Sequence, residues 1–296
     1  MPSDRPETAF SQRDGARRVL LTGATGFVGR QIHRALVARG HRVKAVVRTG
    51  TAHRLSAPAD VVETADLFAH DASFWASTTA GMDAVIHAAW VATPGLYLAS
   101  PLNLDCLRGG LALARGAAEA GVGHVIGVGT CFEYALPSDH LSVDAPLGPA
   151  SLYATAKLAL YQTLSAFFAG EAAGGTIFSW ARLFYLYGEG EDERRLVAYI
   201  RARLAAGEVA RLSAGTQVRD FLDVAEAGAM VARIVETGQP GAINICSGVP
   251  VTVRELAERT ARALGRPDLL EFGSAPPRPG DPPVVVGVCN LWPEPS

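Results

Sequence analysis

The sequence predicts an α/β protein of the doubly wound class: a parallel sheet covered on both faces, with a smaller C-terminal lobe built onto it. Three observations carry this. Apolar runs of strand length alternate with stretches of helical spacing through the first 183 residues, the rhythm of parallel sheets with crossover helices. A glycine-spaced turn, TGATGFVG at 22–29, divides the first strand from the first helix. Finally, 296 residues exceed the usual single-domain size and 49% of them are hydrophobic, so a large core and an added lobe can both be built.

In chain order, 18–22 is an apolar strand, 27–39 has helical spacing and 41–48 is strand-like again, which makes a βαβ unit. Further strands are expected at 61–63, 84–89, 122–129 and 176–183, with helices near Asp71 and over 102–120 and 150–168. Beyond Tyr187 the rhythm loosens: a helix over 194–206, a polar strand over 217–222, a helix from Val224, a strand over 242–245 and a helix from Val253. The segment GSAPPRPGDPP (273–283) is too rich in Pro and Gly for regular structure, and 290–296 gives no element. The expected organisation is a disordered leader over 1–16 and a dinucleotide-binding Rossmann domain over 17–183, with later elements near 217–246 returning to it. A substrate-binding lobe is expected from 184–216 and 247–296.

The formal net charge is only −2 and neither tail carries a charge block, which argues against a nucleic-acid face. The polar leader lacks an apolar signal-peptide core. No apolar run reaches the roughly 18 residues that a membrane span needs, so a cytoplasmic protein without membrane or nucleic-acid partners is expected. Cys106, Cys131, Cys246 and Cys289 form no CxxC pair, which fits reduced thiols better than a disulfide frame or a metal site. Lys44 and Lys157 are the only lysines among 27 basic residues. Where charge alone is wanted this chain uses Arg, so each Lys marks a candidate for work that a guanidinium cannot do.

Gly23, Gly26 and Gly29 recur at three-residue spacing where a strand meets a helix. Such glycines permit a tight turn and let backbone approach a pyrophosphate, while the helix N-terminus offers free N–H donors to the phosphates. Thr25, Phe27 and Val28 complete the candidate cofactor turn. An acid about 20 residues on would select NAD by bonding the ribose 2′-hydroxyl. Here the second strand ends Val47-Arg48-Thr49, and Arg48, aided by His53 or Arg54, is suited to the 2′-phosphate of NADP. NADP is therefore the expected cofactor and NAD the alternative. Asp66, after the third strand, is a candidate adenine contact.

Tyr153 and Lys157 stand four apart in SLYATAKLAL and so share a helix face. A nearby ammonium stabilises phenolate and can also bond a ribose, so the pair can shuttle a proton. Thr130 closes an apolar strand at the carboxyl edge of the sheet, where parallel α/β proteins place ligands, and its hydroxyl could orient a substrate carbonyl or alcohol.

With these residues in place, the sequence resembles the extended short-chain dehydrogenase/reductases from Arg18 to about Asp281, in their nucleotide-sugar epimerase/reductase branch. TGATGFVG resembles the family's nucleotide turn, IHAAW (86–90) its fourth-strand motif, GTCFEY (129–134) its SSxxVY segment and Tyr153 with Lys157 its YxxxK pair. ARLFYLYG (181–188), VRDFLDV (218–224) and NICSG (244–248) resemble the sugar-nucleotide branch. The resemblance implies that Thr130, Tyr153 and Lys157 are catalytic, and that Asn103 has a structural and cofactor-linked role. It places Leu67, Ala88 and Ala89 beside the cofactor, Leu183 and Phe184 near the nicotinamide, and Tyr185 near the substrate. Arg219 and Arg278 fall where such enzymes hold the diphosphate of their substrate; the plainer alternative pairs Arg219 with Asp220 or Asp223, and Arg278 with Asp281. A nucleotide-diphosphate sugar is the implied substrate class. The helices over 102–120 and 150–168 imply a homodimer.

Related dehydratases carry an Asp-Glu pair after the catalytic Thr, whereas Cys131-Phe132 stand here; Cys131 is given no catalytic role. Two reactions remain within the enzyme class. An NADPH-dependent reductase would convert a nucleotide-linked 4-keto-6-deoxy sugar, with the proton from Tyr153. An NAD-dependent 4-epimerase would oxidise and re-reduce C4. A reading of another class is a non-catalytic dinucleotide sensor. Relatives continue past RPGD (278–281) with a strand, a helix and a closing segment, whereas this chain ends LWPEPS, so a curtailed lobe is expected.

Overall fold

The computed structural model describes residues 15–276 and 280–293. In chain order they form β1 (Arg18–Thr22), α1 (Phe27–Ala38), β2 (Arg42–Arg48), β3 (Asp60–Thr64), α2 (Ala72–Thr79), β4 (Ala84–His87), α3 (Leu102–Glu119), β5 (His124–Thr130), β6 (Ser138–Leu141), α4 (Leu152–Phe168), β7 (Ile177–Leu183) and β8 (Tyr185–Tyr187). There follow α5 (Leu196–Ala205), β9 (Ala210–Leu212), β10 (Val218–Asp223), α6 (Val224–Thr237), β11 (Gly241–Ile245), β12 (Pro250–Thr252), α7 (Val253–Ala263), β13 (Leu270–Phe272) and β14 (Val284–Gly287).

Seven strands make one sheet in the order β11-β7-β5-β4-β1-β2-β3, and every pairing in it is parallel. Strand alternation sets its two cores. Val19 and Leu21 of β1, Val43 and Ala45 of β2 and Ile126 of β5 face α1 and α6. Leu20, Val46 and Val85 face the other way, onto Trp75 of α2, Leu113 and Ala117 of α3 and Leu160 and Leu164 of α4. Both faces are buried, so the strands read as near-continuous apolar runs. This is the doubly wound Rossmann class.

A second sheet runs β12-β10-β14-β6, with β8 also paired to β10. Val218 and Arg219 of β10 pair with β14, and Phe221 to Asp223 pair with β8. A parallel ribbon of β9 and β13 lies apart from both sheets. The late stretch expected to return to the first sheet therefore divides: α6 and β11 join it, and β10 builds the second. Asp220, fully buried, ties the second sheet together. Its carboxylate accepts from the N–H and hydroxyl of Ser247 at 2.8 and 2.7 Å, from Gly248 N–H at 2.9 Å and from Gly287 N–H at 3.2 Å. The strand after the Pro-rich segment is present as β14. Among the described residues no helix is long and apolar enough to cross a membrane.

Candidate active site

The glycine turn closes against the end of β4. Gly23 has φ +78°, a conformation only glycine adopts readily, and a Cβ there would stand 2.7 Å from Ala89 N and 2.9 Å from Ala88 C. Gly29, in the first turn of α1, would drive a Cβ into the carbonyl of Gly23. Gly26 N–H closes the turn on Gly23 O at 2.9 Å, and Thr22 Oγ1 accepts from Ala89 N–H at 3.2 Å. The bare cradle fits a dinucleotide pyrophosphate at the helix N-terminus. Thr25 and Val28 are partly exposed on its rim, and Phe27 carries the Arg195 guanidinium 5.9 Å above its ring. Gly29→Ala is expected to cost about 1–3 kcal/mol of stability through overpacking and to weaken dinucleotide binding, both readable by thermal unfolding with and without cofactor.

Arg48 ends β2 with its side chain exposed, and His53 and Arg54 are exposed on the short 3-10 turn that follows. Asp66 is exposed and spends one carboxylate oxygen on Phe68 N–H at 2.9 Å, capping the turn that carries the partly buried Leu67.

Thr130 is the last residue of β5 rather than the one after it. Its hydroxyl accepts from Phe132 N–H at 3.3 Å and lies near enough to the Tyr153 phenol to oppose the upward shift that burial gives it. Tyr153 enters on the first turn of α4, which Ser151 caps through Ala154 N–H at 3.2 Å. Lys157, one turn on, is buried and donates to Val128 O at 2.6 Å. The three expected residues therefore converge. Burial pulls the Lys157 ammonium down to about 7, with Glu133 opposing. The sequence led us to expect a lowered phenol, but burial, reinforced by Tyr97, pushes Tyr153 upward, with the nearby Thr130 hydroxyl opposing only in part. The reason is local: the Lys157 Nζ is turned toward Val128 O and the Trp90 ring.

Trp90 and Glu133 are the residues that sequence reasoning missed. The Lys157 Nζ lies 3.7 Å from the Trp90 ring centroid. Asn103, fully buried, accepts from Trp90 Nε1 at 2.8 Å and donates to the carbonyls of Tyr97 and Ser100 at 2.7 and 2.8 Å. It thereby fixes the loop over Tyr153, whose ring meets Tyr97 edge-on at 4.8 Å. Glu133, also fully buried, accepts from Thr130 N–H at 2.9 Å, from Trp180 Nε1 at 3.0 Å and from Arg182 Nε at 2.8 Å. Burial pushes its carboxyl up, against the pull of Arg182. Arg182 in turn donates to the Tyr134 hydroxyl at 3.0 Å, which donates to Asn244 at 2.7 Å. Only a Glu inside an apolar segment and an Arg inside an apolar strand could have signalled this pair, because each implies a buried partner.

Beyond Thr130, Phe132 and Tyr185 meet edge-on with ring centroids 5.9 Å apart. Arg219 is nearly inaccessible; it lies 5.1 Å over Tyr185 and pairs with Asp281 at 2.7 Å. Its acidic partner is thus neither Asp220, which holds the second sheet, nor Asp223, which caps α6 through Ala225 N–H at 2.7 Å. Leu183 is partly buried. Phe184 is buried beside Cys131, Tyr134 and Cys246. Burial pushes the Cys131 thiol up, which suits a packing residue. Arg278 lies outside the described residues.

A parallel sheet with a bare glycine cradle, and a Thr-Tyr-Lys cluster at its carboxyl edge, define an NAD(P)-dependent enzyme of the extended short-chain dehydrogenase/reductase type. Residues 19–246 match the model of the NAD dependent epimerase/dehydratase family, and the chain belongs to that family. It is 24% identical over 242 residues to a dTDP-6-deoxy-L-talose 4-dehydrogenase (NAD(+)) of Aggregatibacter actinomycetemcomitans, covering 81% of this chain and 88% of the relative. It is 29% identical over 294 residues to a UDP-glucose 4-epimerase of Mycolicibacterium smegmatis, covering 89% and 87%. The fold is similar to that of UDP-N-acetylglucosamine 4-epimerase from Methanobrevibacter ruminantium M1, solved in complex with UDP-N-acetylmuramic acid. There the TM-score is 0.81 at 24% identity, over 93% of this chain and 90% of that one.

Proposed function

We propose that the protein is an NADPH-dependent reductase of a nucleotide-linked 4-keto-6-deoxy sugar. The observation that carries this reading is what surrounds Thr130 and Tyr153. Cys131 is buried in the core and Phe132 packs on Tyr185, so the two positions after Thr130 supply no acid or base for water loss. What remains is a phenol beside Thr130 with an ammonium one turn away. The relatives named above act on dTDP- and UDP-linked sugars, which supports the substrate class.

Bound NADPH supplies the hydride. Thr130 holds the carbonyl oxygen of the substrate, and Tyr153 gives that oxygen its proton. Because burial keeps the Tyr153 phenol protonated, it is set as a donor. Lys157 stands beside Tyr153 to bind the cofactor ribose and to stabilise the phenolate left after transfer. Phe132 and Tyr185 give the sugar an aromatic wall suited to an apolar C6 methyl. Arg48, exposed at the end of β2, takes the 2′-phosphate.

Two measurements test the reading. NADPH should bind exchangeably and more tightly than NADH, and Arg48→Ala should weaken NADPH by about 10- to 100-fold, the worth of a charge-assisted bond, with NADH unchanged. Turnover should then be seen with a nucleotide-linked 4-keto-6-deoxy sugar and NADPH. Release of tightly held NAD from the denatured protein, with an Arg48→Ala variant that binds NADPH normally, would overturn the reading in favour of a 4-epimerase.

A further inference from the structure

We propose that Trp90 is a positioning residue that fixes the Lys157 side chain and sustains its positive charge. The inference rests on the assignment of Tyr153 and Lys157 as the reactive pair. The ammonium has two close supports, Val128 O at 2.6 Å and the Trp90 ring face at 3.7 Å, and both are neutral. The neighbouring buried carboxylate, Glu133, is already held by Arg182, Trp180 and the Thr130 N–H. Among the described residues, the other ionisable groups around the ammonium are Tyr153 on its own helix, His87 on β4 and Cys106 on α3. Burial holds the His87 imidazole neutral, down to about 3, and the Lys157 charge pushes it the same way.

A buried ammonium without an anion needs some other electrostatic support. An aromatic face gives it, and a desolvated cation–π contact is among the stronger of its kind. An anion would cancel the charge that Tyr153 and the ribose need, whereas the indole leaves it whole. Asn103 completes the arrangement. By accepting from Trp90 Nε1 at 2.8 Å it stops the ring from swinging away, and the same ring meets Tyr153 edge-on at 6.3 Å. One side chain thus aligns both members of the pair.

With Lys44 and Lys157 as its only lysines, the full chain is suited to a direct test. Labelling with 13Cε-lysine gives two resonances, and Lys44→Arg assigns them. In the protein without added cofactor, the Lys157 signal is expected to titrate near pH 7. Its midpoint should fall by roughly one pH unit in Trp90→Leu and by less in Trp90→Phe, while the Lys44 signal stays in place. Trp90→Phe carries the test alone if Trp90→Leu does not fold. Midpoints unchanged within about 0.2 unit in every folded variant overturn the proposal. In turnover, the loss of kcat/KM on raising the pH should move to lower pH by the same interval. If the resonance moves and the turnover profile does not, the Trp90 contact stands and the placing of Lys157 in the reaction fails.

Discussion

Tyr153→Phe is expected to reduce turnover by about 10²- to 10⁴-fold, the worth of a positioned general acid, and to leave NADPH binding nearly unchanged. The variant is clean because the ring stays. Phe keeps the edge contacts with Trp90 and Tyr97, so the loop held by Asn103 and the first turn of α4 have no reason to move. Only the hydroxyl that faces Thr130 disappears. With the proton donor gone, hydride transfer to the carbonyl would leave an alkoxide that Thr130 alone must stabilise. Single-turnover rates with saturating NADPH, beside a fluorescence titration of the cofactor, separate the two effects. A Phe variant that turns over at the wild-type rate would sink both the assignment and the reductase reading.

Glu133→Ala is expected to be the most damaging single change to stability, costing about 3–5 kcal/mol, because it leaves the Arg182 guanidinium buried without a partner. Arg182 is as inaccessible as Glu133, so water cannot replace the lost carboxylate. The same change strips the acceptor from Trp180 Nε1 and from Thr130 N–H. Chemical denaturation should show the midpoint falling with little change in slope, and the surviving folded enzyme should be slower because the backbone of Thr130 is no longer held. Glu133→Gln keeps an acceptor and should recover part of the loss. If Glu133→Ala unfolds at the wild-type midpoint, the buried pair is not what holds this end of β5.

The first sheet was legible because its strands are buried on both faces. Apolar runs such as VLLT and VIGVG leave little choice, and α1 and α3 between them carry clear helical spacing. The second sheet was legible only in β10, since β6, β8, β12 and β14 are three or four residues long, too short to show a period. Thr130, Tyr153 and Lys157 could be named from spacing and from position at a strand end. Their surroundings could not. Whether a Lys four residues after a Tyr meets a carbonyl, a carboxylate or an indole depends on which loop crosses above it, and that loop is set by Asn103 through contacts local only in the folded chain. The direction of the Tyr153 shift was missed for the same reason, because burial raises the phenol while the Lys157 Nζ faces Val128 O and the Trp90 ring instead of it.

The distribution of strands between the two sheets also sets an order of assembly. Six of the seven strands of the first sheet lie before residue 184, whereas the second draws on stretches from Ser138 to Gly287, and the pairing of β14 with β6 brings Val285 to Ser138 across about half the chain. Closing so long a loop is entropically slow and waits on the last strand. On the ribosome, the half that carries the glycine cradle can therefore become structured while Asp220 still lacks Gly287, one of its anchors, and Arg219 lacks Asp281. Exposed strand edges persist through that interval, which is where the growing polypeptide is most open to aggregation and to proteases.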